Sequence, residues 1–219
     1  MIDFKNTIKV VGFDLDQTLF PKSPEIDEAI QKYIYEKIAE FKGISLSSAA
    51  TLFRSYYKEG AGLSGTQTVR EIGLPNASGI VQEALERADI ARFLHANTKT
   101  LQLIQDLQKK YHVDLVTGSA TQVMKQKLEK LELPLSLFEH IIDGARASKS
   151  DGEAYKLWLS YYPNLQPQEF LYIGDRVRSD YEVPKEFGIH SLLVNIAKPK
   201  SEVACPQLPS LIDVREILL

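Results

Sequence analysis

Ile8-Lys9-Val10-Val11-Gly12-Phe13-Asp14-Leu15-Asp16-Gln17-Thr18 begins as a strand-length run of β-branched and aromatic residues and breaks off at two carboxylates one residue apart. Three later runs have the same build, at residues 113–116, 170–173 and 191–194. Each is short, apolar and bounded by polar or glycine positions, the pattern of a strand buried on both faces. Between them lie helical patterns. In residues 98–110, Leu101, Ile104 and Leu107 recur at three-residue spacing, and residues 123–131 and 150–162 read the same way. Strands alternating with helices predict an α/β fold with a doubly wound, Rossmann-like parallel sheet.

Residues 24–94 break that alternation. Two long amphipathic helical patterns, 26–41 and 46–59, are followed by the turn Gly60-Ala61-Gly62 and a shorter helical pair at 66–72 and 80–88. Ser45 is placed to cap the second helix. No strand pattern interrupts the stretch. The expected organisation is a catalytic core of residues 1–20 and 96–219, with a small all-helical domain, residues 21–95, inserted directly after the first strand and close against the sheet.

Bulk properties exclude several classes of function. The 219 residues are 44% hydrophobic and 25% charged, with a net charge of −3. Acids and bases are dispersed, so neither a nucleic acid polymer nor a membrane surface is an expected partner. No apolar run approaches the roughly 18 residues of a membrane span, the N-terminus has no signal-like segment, and a cytoplasmic location is expected. The single Cys205 makes no internal disulfide and reads as a plain thiol. The four histidines have no spacing to one another or to a nucleophile, and Ser119 lacks the Gly-x-Ser-x-Gly elbow of a serine hydrolase.

The informative residues stand at the ends of the strand runs. Asp14 and Asp16 follow the first, Thr117-Gly118-Ser119 the second, and Gly174-Asp175, with Asp180 five residues on, the third. In an open parallel sheet these ends form the ligand crevice. Four acids crowded there raise one another's pKa unless a cation sits among them. Mg²⁺ suits an all-oxygen donor set, whereas no Cys or His cluster offers a zinc site. Lys149, between the second and third of these runs, is the cation placed to balance an anionic nucleophile and a transferring phosphoryl group, with Lys156 or Arg146 as substitutes.

Asp14-x-Asp16-x-Thr18, Thr117, Lys149 and Gly174-Asp175-x-x-x-x-Asp180, in this order, resemble the four motifs of the haloacid dehalogenase superfamily. The likeness spans the chain, and the helical insertion matches that family's cap. The resemblance implies that Asp14 is the nucleophile and becomes an aspartyl phosphate, and that Asp16 is the general acid and base. It implies that Thr117 and the Gly118 amide hold phosphoryl oxygens while Lys149 neutralises charge. Mg²⁺ would be held by Asp14, the Asp16 backbone carbonyl, Asp175 and Asp180, the last directly or through water. Dehalogenases of the family lack a carboxylate at the position of Asp16, so Asp16 favours phosphoryl chemistry.

Two positions depart from the family pattern. Gly118 stands where Asn is common, and Lys149-Ser150-Asp151-Gly152 replaces Lys-Pro-Asp-Pro. Residues 13–23 and Tyr56-Tyr57-Lys58-Glu59-Gly60 resemble the pyrimidine 5′-nucleotidase branch. The expected substrate is therefore a small phosphorylated metabolite such as a nucleoside 5′-monophosphate, turned over by a monomer or homodimer. The alternatives on the same scaffold are a sugar-phosphate phosphomutase and a phosphoglycolate phosphatase-like enzyme. A phospho-signalling receiver would have neither the helical insertion nor the Gly-Asp-x-x-x-x-Asp stretch.

Overall fold

The computed structural model describes residues 4–21, 23–57, 63, 65–88, 90–199, 201 and 203–219. The chain divides into two compact units, Met1–Pro21 with Leu94–Leu219, and Lys22–Phe93.

The first unit opens with a short helix, α1 (Phe4–Thr7), and is built on five strands. These are β1 (Val10–Phe13), β2 (His112–Val116), β3 (Ile141–Ile142), β4 (Phe170–Gly174) and β5 (His190–Leu193). All pair in parallel, in the order β3-β2-β1-β4-β5. Four coincide with the expected runs. β3 has no counterpart among them, because two residues are too short for any periodic signal. Val10 faces His112 on one side and Phe170 on the other, and Phe13 faces Leu115 and Ile173. This register brings the carboxyl ends of β1, β2 and β4 level. Strand order reverses about β1, so the crevice of a doubly wound sheet opens there.

Helices α6 (Thr98–Gln108), α7 (Thr121–Lys130), α8 (Glu153–Ser160), α9 (Val183–Glu186) and α10 (Val214–Leu218), numbered after the four helices of the second unit, flank the sheet. Alternation along the strands divides the side chains between two faces. Val10, Val116, Phe170 and Tyr172 pack with Tyr155 and Trp158 of α8 and with Val183 and Ile189. Trp158 is fully buried and donates from Nε1 to Asp114 Oδ2 at 2.7 Å, joined by the Tyr162 hydroxyl at 2.9 Å. Side chains this large contribute roughly 1.5–3 kcal/mol each on burial. α8 begins at Glu153, three residues later than the pattern suggests, because residues 148–152 form turns held by side-chain oxygens of Ser148 and Asp151.

The named elements of the second unit are helices, α2 (Pro24–Lys42), α3 (Leu46–Tyr56), α4 (Gly65–Glu71) and α5 (Ala77–Arg87), with a 3₁₀ turn at Ile90–Phe93 and one isolated bridge between Tyr57 and Leu63. Ser23 caps α2 by accepting from the Ile26 N–H, Pro24 starts the helix, and Glu25 and Asp27 lie in its first turn, the preferred place for negative charge. Ser45 caps α3 as anticipated, accepting from the Ser48 N–H at 3.1 Å. Ile34, Ile38, Phe53, Val69 and Ala84 form its core. The expected turn at 60–62, and Lys58, Glu59 and Gly60 of the nucleotidase-like stretch, lie outside the described residues.

Candidate active site

β1 delivers Asp14 to the sheet edge, where its N–H donates to Ile173 O at 2.9 Å and its side chain is buried. β4 delivers Asp175 in the same way. A single π-helical turn, Arg178–Glu182, carries Asp180 back under the end of β4. Gly174 is required for that approach, since a Cβ there would lie 2.4 Å from both Cβ and Oδ2 of Asp180. Asp14, Asp175 and Asp180 are all buried and offer oxygens that lie within 4.8 Å of one another.

Lys149 lies among them. Its ammonium is 3.0 Å from Asp14 Oδ1 and 2.8 Å from Asp180 Oδ1. It also donates to the Tyr172 hydroxyl at 2.8 Å, which in turn donates to Val116 O. Burial drives the Tyr172 pKa well above its usual value, so this hydroxyl keeps its proton. The sequence-based substitutes for Lys149 point elsewhere. Lys156 is exposed beside Glu153, and Arg146 donates to Ile141 O.

The electrostatics follow from burial. Desolvation pushes the Asp14 carboxyl up to about 7, with the Asp180, Asp16 and Asp175 charges adding to it and Lys149 opposing. Burial works against the Lys149 charge as well, but Asp14 and Asp180 outweigh it and its pKa goes up. Asp180 goes down. Against the cost of burial, its Oδ1 faces Lys149 and accepts from Ser179 Oγ at 2.8 Å, while its Oδ2 accepts the N–H groups of Asp175 and Arg176 at 3.1 and 3.0 Å. Asp180 therefore pairs with Lys149 rather than with Arg178, which binds Glu182 and Glu186, or with Lys185.

Three buried carboxylates around one buried ammonium are short of positive charge, and Arg176 adds only a contact of 3.9 Å to Asp175. The oxygen-only donor set and this charge deficit fit a hard divalent cation.

Thr117 ends β2 fully buried, its N–H donating to Ile142 O and its Oγ1 accepting from the Ser119 N–H at 3.1 Å. The Thr117 side chain thus caps the turn before α7, and α7 itself, starting at Thr121, has no side-chain cap.

Asp16 does not share the Asp14 cluster. Its Oδ1 lies 2.6 Å from Lys127 Nζ and its Oδ2 accepts from Ser119 Oγ at 2.6 Å. The sequence reading does not single out Lys127, which lies between Lys125 and Lys130. The available signal was its spacing with Met124, Leu128 and Leu131, which places it on the apolar face of α7. Elsewhere, His112 meets Glu139 and His140 stacks on Tyr161. Burial raises the Cys205 thiol to about 11, which keeps it unreactive.

Residues 11–194 match the family model for haloacid dehalogenase-like hydrolases. No curated protein sequence matches the chain significantly. Among solved structures it resembles a HAD phosphatase from Thermococcus onnurineus, 22% identical with a TM-score of 0.62, covering 96% of this chain and 97% of that one. A HAD-type hydrolase from Bacillus subtilis bound to magnesium is 16% identical with a TM-score of 0.59, covering 97% and 99%. The L-2-haloacid dehalogenase of Xanthobacter autotrophicus is 17% identical with a TM-score of 0.57, covering 96% and 98%. At these identities the likeness establishes the fold. Among the described residues no helix is long and apolar enough to cross a membrane.

Proposed function

Since this chain belongs to the haloacid dehalogenase-like hydrolases, we propose that it is a magnesium-dependent phosphomonoester hydrolase working through an aspartyl phosphate on Asp14. The observation that carries this reading is the division of labour between two carboxylates. Asp14 is buried at the strand end, 3.0 Å from Lys149, while Asp16 is held apart on partners of its own. The lysine beside Asp14 can offset charge as phosphorus is attacked, while Asp16, held outside that cluster, is a separate carboxylate to which the proton steps can be assigned.

In the first step an Asp14 oxygen attacks phosphorus, the bond from phosphorus to the leaving oxygen breaks, and Asp16 gives that oxygen its proton. In the second, water attacks phosphorus, its proton passes to Asp16, and the bond from phosphorus to Asp14 breaks. Lys149 offsets negative charge beside Asp14, and Thr117 with the Gly118 N–H holds the transferred group. Asp14, Asp175, Asp180 and the Asp16 backbone carbonyl would hold Mg²⁺, Asp180 directly or through water. Bound there, the ion supplies charge stabilisation to the phosphoryl oxygens.

Residues 1–20 with 96–219 are assigned as the catalytic core and residues 21–95 as its cap. Within the family, the short likeness at residues 13–23 and 56–60 favours nucleoside 5′-monophosphates as substrates. The test is phosphate release from UMP, CMP, purine monophosphates, sugar phosphates and phosphoglycolate, with magnesium and with chelator. Magnesium-dependent release is expected, highest on a pyrimidine monophosphate. Transfer between sugar positions without free phosphate would contradict hydrolysis.

A further inference from the structure

Lys127 has no place in the reaction just described, yet it is among the most buried charged groups of the core unit, at 4% exposure. Lysines are almost never buried unless paired, because desolvating an ammonium is repaid only by well-placed partners. Its partners are both at the reaction centre. Lys127 Nζ donates to Asp16 Oδ1 at 2.6 Å and to Ser119 Oγ at 3.0 Å, and Ser119 Oγ donates to Asp16 Oδ2 at 2.6 Å. The three side chains close a triangle that engages both carboxylate oxygens, which fixes the plane of the carboxyl group as well as its position.

The backbone next to Asp16 is secured separately. Gln17 adopts a positive φ of 59°, and Asn195 Nδ2 donates to the carbonyls of Gln17 and Thr18 at 2.8 and 3.1 Å. Residues 15–19 are thereby anchored, and α7 supplies the contact that orients the Asp16 side chain. Met124 and Leu128 of the same helix are buried as well.

We propose that Lys127, acting through Asp16 and together with Ser119, is a positioning residue for the leaving-group proton transfer. The inference rests on the reading of Asp16 as general acid. Such a group works only within hydrogen-bond reach and in line with the atom it protonates, and displacement by about 1 Å costs roughly 100-fold.

The test compares kcat/KM, which covers the steps through departure of the leaving group, on two phosphomonoesters with magnesium present. 4-Nitrophenyl phosphate has a leaving group that is stable without a proton, whereas phenyl phosphate depends on receiving one. Lys127→Met should lose at least about tenfold more on phenyl phosphate than on 4-nitrophenyl phosphate. Asp16→Asn should show a larger difference in the same direction, and Lys127→Arg should regain part of the loss. Equal losses on both substrates in Lys127→Met, with Asp16→Asn still discriminating, would overturn the proposal alone. Failure of Asp16→Asn to discriminate would overturn the general-acid reading and this inference with it. If Lys127→Met does not fold, Ser119→Ala carries the same comparison.

Discussion

Replacing Lys149 by Met keeps the length of the side chain but removes the ammonium that lies 3.0 Å from Asp14 and 2.8 Å from Asp180. Taking one partner from a buried ion pair costs about 3–5 kcal/mol while the remaining groups stay charged. In a chain of 219 residues each kcal/mol shifts Tm by about 2–4 °C, giving a loss of about 6–20 °C. The loss has a defined pH dependence. Asp14 is already raised to about 7 with Lys149 opposing the rise, and Asp180 is held down chiefly by the same lysine. Without Lys149 both carboxyls move up. A carboxyl whose folded pKa exceeds its unfolded value contributes stability at low pH and loses it as pH rises through the folded value. The gap in Tm between wild type and Lys149→Met should therefore be smaller near pH 5, where Asp14 is protonated and only the Asp180–Lys149 pair is charged in the wild type, and larger near pH 8. The assay is thermal unfolding of both proteins in chelator at the two pH values. A gap of equal size at both, or none at pH 8, would refute the buried charge balance described above.

Further outcomes follow from the same structure. Asp14, raised to about 7, contributes on the order of 4 kcal/mol of stability to the metal-free protein below pH 4, which is lost as pH rises through 7. Because a metal ligand must be deprotonated, the magnesium-induced rise in Tm should be slight at pH 5 and grow through pH 7; equal shifts at both ends would count against it. Gly12→Ala would set a Cβ 2.5 Å from Cζ2 of Trp158, whose ring is tied to Asp114, so a loss of about 1–3 kcal/mol is expected in chemical denaturation, and an unchanged midpoint would contradict the packing. Asp114→Asn would put an amide against the Trp158 and Tyr162 donors or leave one of them without an acceptor, costing about 1–3 kcal/mol, again measured by denaturation.

Four of the five strands were legible because each is an apolar run of at least four residues that stops at a polar or glycine residue. β3 was not, since Ile141 and Ile142 owe their strand conformation to pairing with Leu115 and Val116 and not to any local signal. The placement of Asp14, Asp175 and Asp180 was legible for a related reason. A strand end in a parallel sheet has only one edge to occupy, so Asp14 and Asp175 meet there, and Asp180 joins them from the turn that follows β4. Asp16 was not legible in the same way. Its side chain turns toward α7, and its partner Lys127 is 111 residues away in sequence. Pairing across such a distance leaves no periodic trace beyond one lysine on an apolar helix face.

Phosphate release by wild type and Asp14→Asn, side by side in magnesium, tests the central claim most directly. Asn preserves the volume of the side chain and the hydrogen bond from the Asp14 N–H to Ile173 O at 2.9 Å, but it cannot form the aspartyl phosphate. Wild type should release phosphate from at least one phosphomonoester and Asp14→Asn should fall by on the order of 10⁴-fold or more, with its fold intact by circular dichroism. Near-wild-type turnover in Asp14→Asn would contradict the assignment of Asp14 as the nucleophile.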